Sequence, residues 1–116
     1  MNPPMPQQWD IIRFRIRPND RDLHPGIVLS PVELCESGHI DRLNVLAGSK
    51  RVPRDDVRAF QVVLNGADGL EFQTTVDCRF FHIVTKSSVH GIIGRVTAMR
   101  RRAIARKINE VFRMPL

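Results

Sequence analysis

Between Trp9 and Arg17 the chain reads WDIIRFRIR, in which Ile12, Phe14 and Ile16 alternate with Arg13, Arg15 and Arg17 at a period of two. That period predicts a strand with one apolar face and, on the other, a row of guanidiniums about 7 Å apart. PNDRD then gathers turn-forming residues and ends the strand in a loop. GIVLS restarts extended chain and Pro31 stops it. HIDRLNVLA reads as a third strand, followed by the basic loop GSKRVPRDD. AFQVVL is a fourth strand, closed by NGADG, whose Asn-Gly and Asp-Gly pairs favour tight turns. TTVDCRFFHIV, rich in β-branched and aromatic residues, reads as one long fifth strand whose imperfect alternation implies that both faces are covered. KSSVHG turns the chain into a short sixth strand, IIGRV.

The period then changes. In TAMRRRAIARKINEVFR, Ile104, Ile108, Val111 and Phe112 share one helical face and Thr97 stands where an N-cap belongs. Arg100, Arg101 and Arg102 crowd the first turn, where the positive end of the helix dipole disfavours cations; a solvated Arg cluster is the default reading, and an anion nearby is expected as the alternative. Five or six short strands and one closing helix predict a mainly β fold with some α, a small bent antiparallel barrel carrying a C-terminal helix. At 116 residues one core is expected, over residues 9 to 116, with the proline-rich MNPPMPQQ of residues 1 to 8 as a flexible tail.

Charge narrows the partner class. The net +6 is carried by fifteen Arg and only three Lys. Nine cations against four anions fall in residues 59 to 116, for +5, and nine against eight in residues 1 to 58, for +1. An Arg-dominated surplus suits phosphates or acidic protein segments. Cys35 and Cys78 form no CxxC pair, so they read as small apolar fillers in a reducing cytoplasm. The tail lacks a signal peptide's apolar stretch, and no run approaches the roughly 18 apolar residues that cross a bilayer.

Several chemistries lack their signatures. His24, His39, His82 and His90 have no metal-ligand spacing, no GxxxxGKS phosphate loop is present, and no GxSxG elbow supports serine hydrolysis. His82 reads as a half-buried strand residue, His90 as a turn residue facing water, and Trp9 as a rim residue covering the core or a platform for a base. Two spots remain. His24 in LHPG is held in extended chain by the proline after it. Gly48 to Arg51, GSKR, offers a close backbone approach, a hydroxyl and two cations, together a phosphate grip.

The order WDIIRF, HPGIVLSP, a strand ending in AGSK, a long strand, GRV and a terminal helix resembles the MazF/PemK family of toxin endoribonucleases over roughly residues 9 to 113. PGIVLSP is the most specific match. The family carries Gly-Asp-Ile near its first strand and an arginine before the proline of its second, where this chain has Trp9-Asp10-Ile11 and His24. The resemblance implies an Src-homology-3-like barrel of the MazF/CcdB type and metal-independent, sequence-specific cleavage of single-stranded RNA by its own 2′-hydroxyl. It puts His24 at the arginine position and Ser49 at a catalytic hydroxyl, and it implies no cofactor. Arg17, Arg21, Lys50, Arg51 and Arg54 are the expected RNA-binding cations. It further implies a homodimer and an acidic, partly disordered antitoxin on the same groove. Imidazole is mostly neutral at pH 7 where guanidinium is always charged, so His24 is suited to proton transfer rather than to charge stabilisation. The alternative is a non-catalytic barrel, either a CcdB-like toxin that binds a protein through its helix end or a nucleic-acid-binding domain that uses Arg13, Arg15 and Arg17.

Overall fold

A computed structural model describes residues 5–53, 55–56 and 58–115. Seven antiparallel strands and two helices follow in the order β1 (Asp10–Phe14), β2 (His24–Val28), α1 (Val32–Glu36), β3 (Arg42–Ser49), β4 (Gln61–Leu64), β5 (Thr74–Asp77), β6 (His82–Thr85), β7 (Ile92–Arg95) and α2 (Ala98–Phe112). The sheet runs β4-β5-β3-β2-β1-β7, and β6 pairs with β3 beside β5. Strand β3 therefore has β2 on one edge, and on the other β6 along Arg42 to Val45 and β5 at Gly48 and Ser49. Two partners on one edge require the sheet to curl. The expected mainly β bent barrel with a C-terminal helix is what forms.

Both faces of this sheet are covered. Ile11, Ile27 and Leu46 join Val76 and Ile104 in one core, while their chain neighbours Ile12, Val28 and Val45 join Phe14, Leu43 and Cys35 in a second. β1 is thus buried at Ile11 and Ile12 alike and exposed only at Arg13. It also stops at Phe14. Asp20 closes a turn by accepting from the Arg17 backbone N–H through Oδ2, and the Asp20 N–H donates to the Arg17 carbonyl. Arg15 and Arg17 therefore leave the expected row. Arg15 donates through Nε to the Asp20 carbonyl and through Nη1 to Nε2 of His90, both at 3.0 Å, so His90 is exposed but not idle.

The residues of the PGIVLSP match have structural work. A Cβ at Gly26 would lie 2.5 Å from the Phe14 ring and from a Val45 methyl, so only glycine lets β1 and β3 close across β2. Ile27 and Val28 serve the two cores, and Ser30 Oγ, buried, accepts the Asn44 N–H at 2.9 Å. Pro31 starts α1, a short helix that the periodicity does not announce. Before β1, Gln7 to Asp10 make a turn in which Trp9 takes φ 75. This is the conformation that glycine fits best, and it costs another residue about 1–2 kcal/mol. Packing of the indole against the first core offsets that strain. Asp10 holds the turn by accepting from the Gln7 N–H at 2.8 Å and from Arg95 Nη1 of β7 at 2.7 Å. Gln8 donates to the Leu29 carbonyl, so the end of the segment read as a tail is bonded to the barrel.

Two further expectations are revised. The long fifth strand splits into β5 and β6 at Cys78 to Phe81, where Asp77 turns back to accept from Arg79 at 2.7 Å and the two halves take different stretches of β3. NGADG does form a tight turn, a 3-10 turn over Gly66–Asp68 with reciprocal Asn65 and Asp68 caps and Gly69 at φ 90. The hydroxyl of Thr97 caps nothing. Asp68 Oδ1 accepts the Thr97 N–H at 2.9 Å, while Oδ2 takes the Asn65 N–H at 3.1 Å and Arg100 Nη1 at 2.6 Å. The anion expected beside the arginine-rich first turn is this buried carboxylate of the same chain. Of the helical face, Ile104 is buried, Ile108 and Val111 are half-buried, and Phe112 is exposed, stacked on Phe81 at 5.3 Å.

Two measurements check this packing. Asp68→Asn removes a charge from a fully enclosed site and leaves Arg100 unpaired, so it should cost about 2–3 kcal/mol in urea unfolding. A loss under about 0.5 kcal/mol, the size of an ordinary surface substitution, would contradict the role given to this carboxylate. Both thiols are fully buried, and desolvation raises that of Cys35 and pushes that of Cys78 up to about 11. Neither should react with iodoacetamide at pH 8 until denaturant is added, and mass spectrometry of the treated native protein reads the outcome.

Candidate active site

The two strands that meet at Gly26 and Ala47 set the site. Their antiparallel register pairs Val28 with Val45, Ile27 with Leu46 and Gly26 with Ala47, and His24 and Ser49 each lie two residues beyond that last pair on their own strands. His24 is also the partner of Phe14 at the end of β1. Pro25 ends the ladder's donors on β2, since it has no N–H, and Gly48 faces it across the strands with no side chain to keep the two apart. A Cβ on Gly48 would lie 2.5 Å from a Thr74 methyl and 3.4 Å from Pro25. Glycine before serine is therefore a packing requirement that also opens the backbone at the site.

His24 and Ser49 line one cavity of about 1100 Å³ together with Arg21, Lys50 and Arg51. Arg13 and Arg15 add two more cations from the β1 end, against only Asp22 and Glu71 as lining carboxylates. Five positive and two negative groups around one concavity make a site for polyanions. The cations come from three segments: the end of β1, the loop before β2 and the loop after β3. Arg17 does not line the cavity, and Arg54 lies outside the described residues.

His24 is half-buried, and among the described residues neither of its ring nitrogens has a hydrogen-bond partner. Both nitrogens are available to a ligand. Ser49 Oγ accepts the Arg51 N–H at 3.4 Å, a long contact that leaves its own O–H free to donate, and Thr75 Oγ1 donates to the Arg51 carbonyl at 2.6 Å. These two bonds fix the backbone that carries Lys50 and Arg51. Lys50 Nζ lies 4.2 Å from the centroid of the Phe72 ring. An imidazole, a hydroxyl and a set of fixed cations can together exchange protons with a phosphodiester, donate to its oxygens and balance its charge.

The sequence pattern does not single out Glu71, Phe72 or Thr74, which reach the cavity from the segment before β5 and from its first residue. They follow a turn signal in a stretch with no periodicity of its own. His82 sits half-buried on β6 with its ring 6.2 Å from that of Phe14, away from the cavity. Trp9 packs on the first core and does not reach the cavity. Among the described residues no three His, Cys, Asp or Glu side chains converge as a metal site, and no helix is long and apolar enough to cross a membrane.

No protein-family profile and no curated protein sequence matches this chain. Solved structures do. A mycobacterial endoribonuclease in complex with its cognate antitoxin superposes with a TM-score of 0.77 at 14% identity, over 96% of this chain and 98% of that one. The Mycobacterium tuberculosis toxin MazF-mt6 gives 0.74 at 18% identity, over 92% and 99%. A MazE-MazF crystal structure from Deinococcus radiodurans gives 0.74 at 16% identity, over 96% and 99%. Curled sheet, connection order and closing helix coincide over almost the full length of both partners in each comparison, so this chain has the fold of the MazF toxins.

Proposed function

We propose that this protein is the toxin of a toxin–antitoxin pair and that it cuts single-stranded RNA without a metal ion. The observation that carries this reading is that His24 and Ser49 line one cavity with five cations, on a barrel whose solved counterparts bear the names of endoribonucleases and toxins. In the proposed reaction the 2′-oxygen of one nucleotide attacks the adjacent phosphorus. The O2′–P bond forms, the P–O5′ bond breaks, and the products are a 2′,3′-cyclic phosphate and a 5′-hydroxyl. One proton leaves the 2′-hydroxyl and one arrives on the departing O5′. His24, with a free ring nitrogen on the cavity, carries one of these transfers, and solvent takes the other. Ser49 donates its O–H to a non-bridging oxygen. Arg21, Lys50 and Arg51 balance the charge that gathers on the phosphorane-like transition state.

This division of labour accounts for histidine where the resemblance expects arginine. One guanidinium supplies charge in fixed geometry but cannot exchange a proton at neutral pH, whereas imidazole can. The charge is spread over the flanking loops instead. Arg17, which does not line the cavity, and Arg54, which lies outside the described residues, are proposed as further contacts to the RNA backbone. The partner protein we propose is an acidic, partly disordered antitoxin segment laid along the same cations, in a cytoplasmic complex with a homodimer of this chain. The complexes of the solved counterparts with antitoxins support this, as do Phe81 and Phe112, which are exposed and stack on each other at the end of α2.

The test is incubation of purified protein with long single-stranded RNA in EDTA, with the new ends mapped. Wild type should cut at defined sites and leave 5′-hydroxyl ends. His24→Ala should slow cutting about a hundredfold or more with RNA affinity retained, and Ser49→Ala about a hundredfold. Lys50→Ala and Arg51→Ala should instead weaken binding and flatten its dependence on salt by about one unit of slope each. Normal cutting by His24→Ala would refute the site assignment. Wild type that folds and binds RNA but never cuts it would make the chain a non-catalytic barrel, as a CcdB-like protein binder or a nucleic-acid-binding domain.

A further inference from the structure

The cavity holds two features that phosphate binding does not require. Phe72 is 55% exposed at its edge, and Glu71 places a carboxylate among the cations. Both sit on a short loop held rigid at its ends. On one side Asp68 is bonded to Asn65, Thr97 and Arg100, and Leu70 is buried in the first core. On the other, Thr74 is buried and its Oγ1 donates to the Phe72 carbonyl at 3.1 Å. A large apolar ring is thus presented to solvent by a fixed backbone, beside a basic surface. Among the described residues Phe72 is the only Phe, Trp or Tyr lining this cavity.

We propose that Phe72 and Glu71 form a base-reading subsite, in which one base of the bound RNA stacks on the Phe72 ring and Glu71 selects guanine at that position. The inference rests on the RNA reading above. Lys50 now covers one face of the ring, and a phosphodiester draws that ammonium onto its oxygens. Base stacking on an aromatic ring is worth more than an exposed cation–π contact, so a base displaces Lys50 from the ring at no net loss. Arg51 and Arg21 carry the neighbouring phosphates, as single-strand binding sites commonly alternate stacking platforms with cations.

Glu71 gives the subsite its selectivity. Among the described residues its carboxylate has no hydrogen-bond or ion-pair partner, although five cations line the same cavity. An unpaired carboxylate weakens the hold on a polyanion unless it accepts something from the ligand. Guanine presents N1–H and the N2 amino group side by side, two parallel donors that match the two oxygens of one carboxylate. Adenine and cytosine set their amino group beside a ring-nitrogen acceptor, and uracil flanks its N3–H with two carbonyl oxygens. Each of these puts a lone pair against the carboxylate. Guanine alone does not.

The test uses eight-nucleotide 2′-fluoro RNA, which lacks the attacking hydroxyl, so that affinity is read by fluorescence anisotropy without cleavage. Wild type should bind an octamer of U carrying one central G about tenfold more tightly than all-U, with A and C variants close to all-U. Glu71→Ala should erase the preference and bind all-U somewhat more tightly than wild type, since it removes a carboxylate that uracil does not satisfy. Phe72→Ala should weaken every octamer about tenfold or more, and Phe72→Trp should restore binding, with the urea midpoint of each variant confirming the fold. Salt-dependent binding of all octamers with no preference for G, or a preference that survives Glu71→Ala, overturns the subsite and leaves the RNA reading standing. Undiminished affinity in Phe72→Ala overturns it in the same way. Failure of the RNA reading shows itself separately, as no salt-dependent binding of any octamer, and overturns the subsite with it.

Discussion

One buried carboxylate ties the helix, the turn before β5 and the cavity together. Asp68 is fully enclosed, and its two oxygens satisfy the Asn65 N–H, the Thr97 N–H and the Arg100 guanidinium. These are one donor of a turn, an otherwise orphan donor at the start of α2, and a cation set where the helix dipole opposes it. Placing a charge in the interior is costly unless every lone pair finds a donor, and here the helix supplies two of the three. The same requirement fixes Gly94. A Cβ there would fall on the Asp68 carbonyl, so the turn and β7 meet backbone to backbone. Because the loop that carries Glu71 and Phe72 begins at Asp68, its position is inherited from this cluster rather than from its own sequence.

The second constraint is the double use of β3. Its edge is shared between β6 and β5, and its faces feed two cores, so neighbouring residues such as Val45 and Leu46 are both fully buried on opposite sides. Such a strand cannot show the apolar–polar alternation of a surface strand. It also ends in Ser49, immediately after a glycine whose missing Cβ lets Thr74 and Pro25 close in. The candidate site is therefore the place where the curled sheet runs out of side chains. Concavity and chemistry arise from one feature.

The PGIVLSP stretch is almost wholly accounted for by packing, through Gly26 against Phe14 and Val45, Ile27 and Val28 in the two cores, and Ser30 on the Asn44 N–H. Its value as a signature is that of a fold. The candidate chemistry lies at its edge and beyond, at His24 and at Ser49, which line one cavity. Trp9 makes the same point from the other direction. It occupies a left-handed position that glycine would fill without strain, and keeps it by covering the first core, so the tight turn survives the substitution while Asp10 holds it to Arg95.

What the sequence by itself determined is the order of the strand-forming segments, the closing helix around Ile104, the burial of Cys35 and Cys78, and LHPG and GSKR as the places where chemistry is possible. These are local signals, since period, proline and glycine positions and charge act within a few residues of chain. Tertiary structure alone decided the rest. The row of Arg13, Arg15 and Arg17 dissolved because Asp20 closed a turn across it, and the long fifth strand broke because Asp77 and Arg79 paired and β3 offered two separate edges. Asp68 rather than Thr97 capped the helix, because a carboxylate from thirty residues away could satisfy more donors than the local hydroxyl. Glu71 and Phe72 became part of the cavity for the same reason. Their position depends on what Asp68 and Leu70 are bonded to and packed against, and those partners lie outside the loop that carries them.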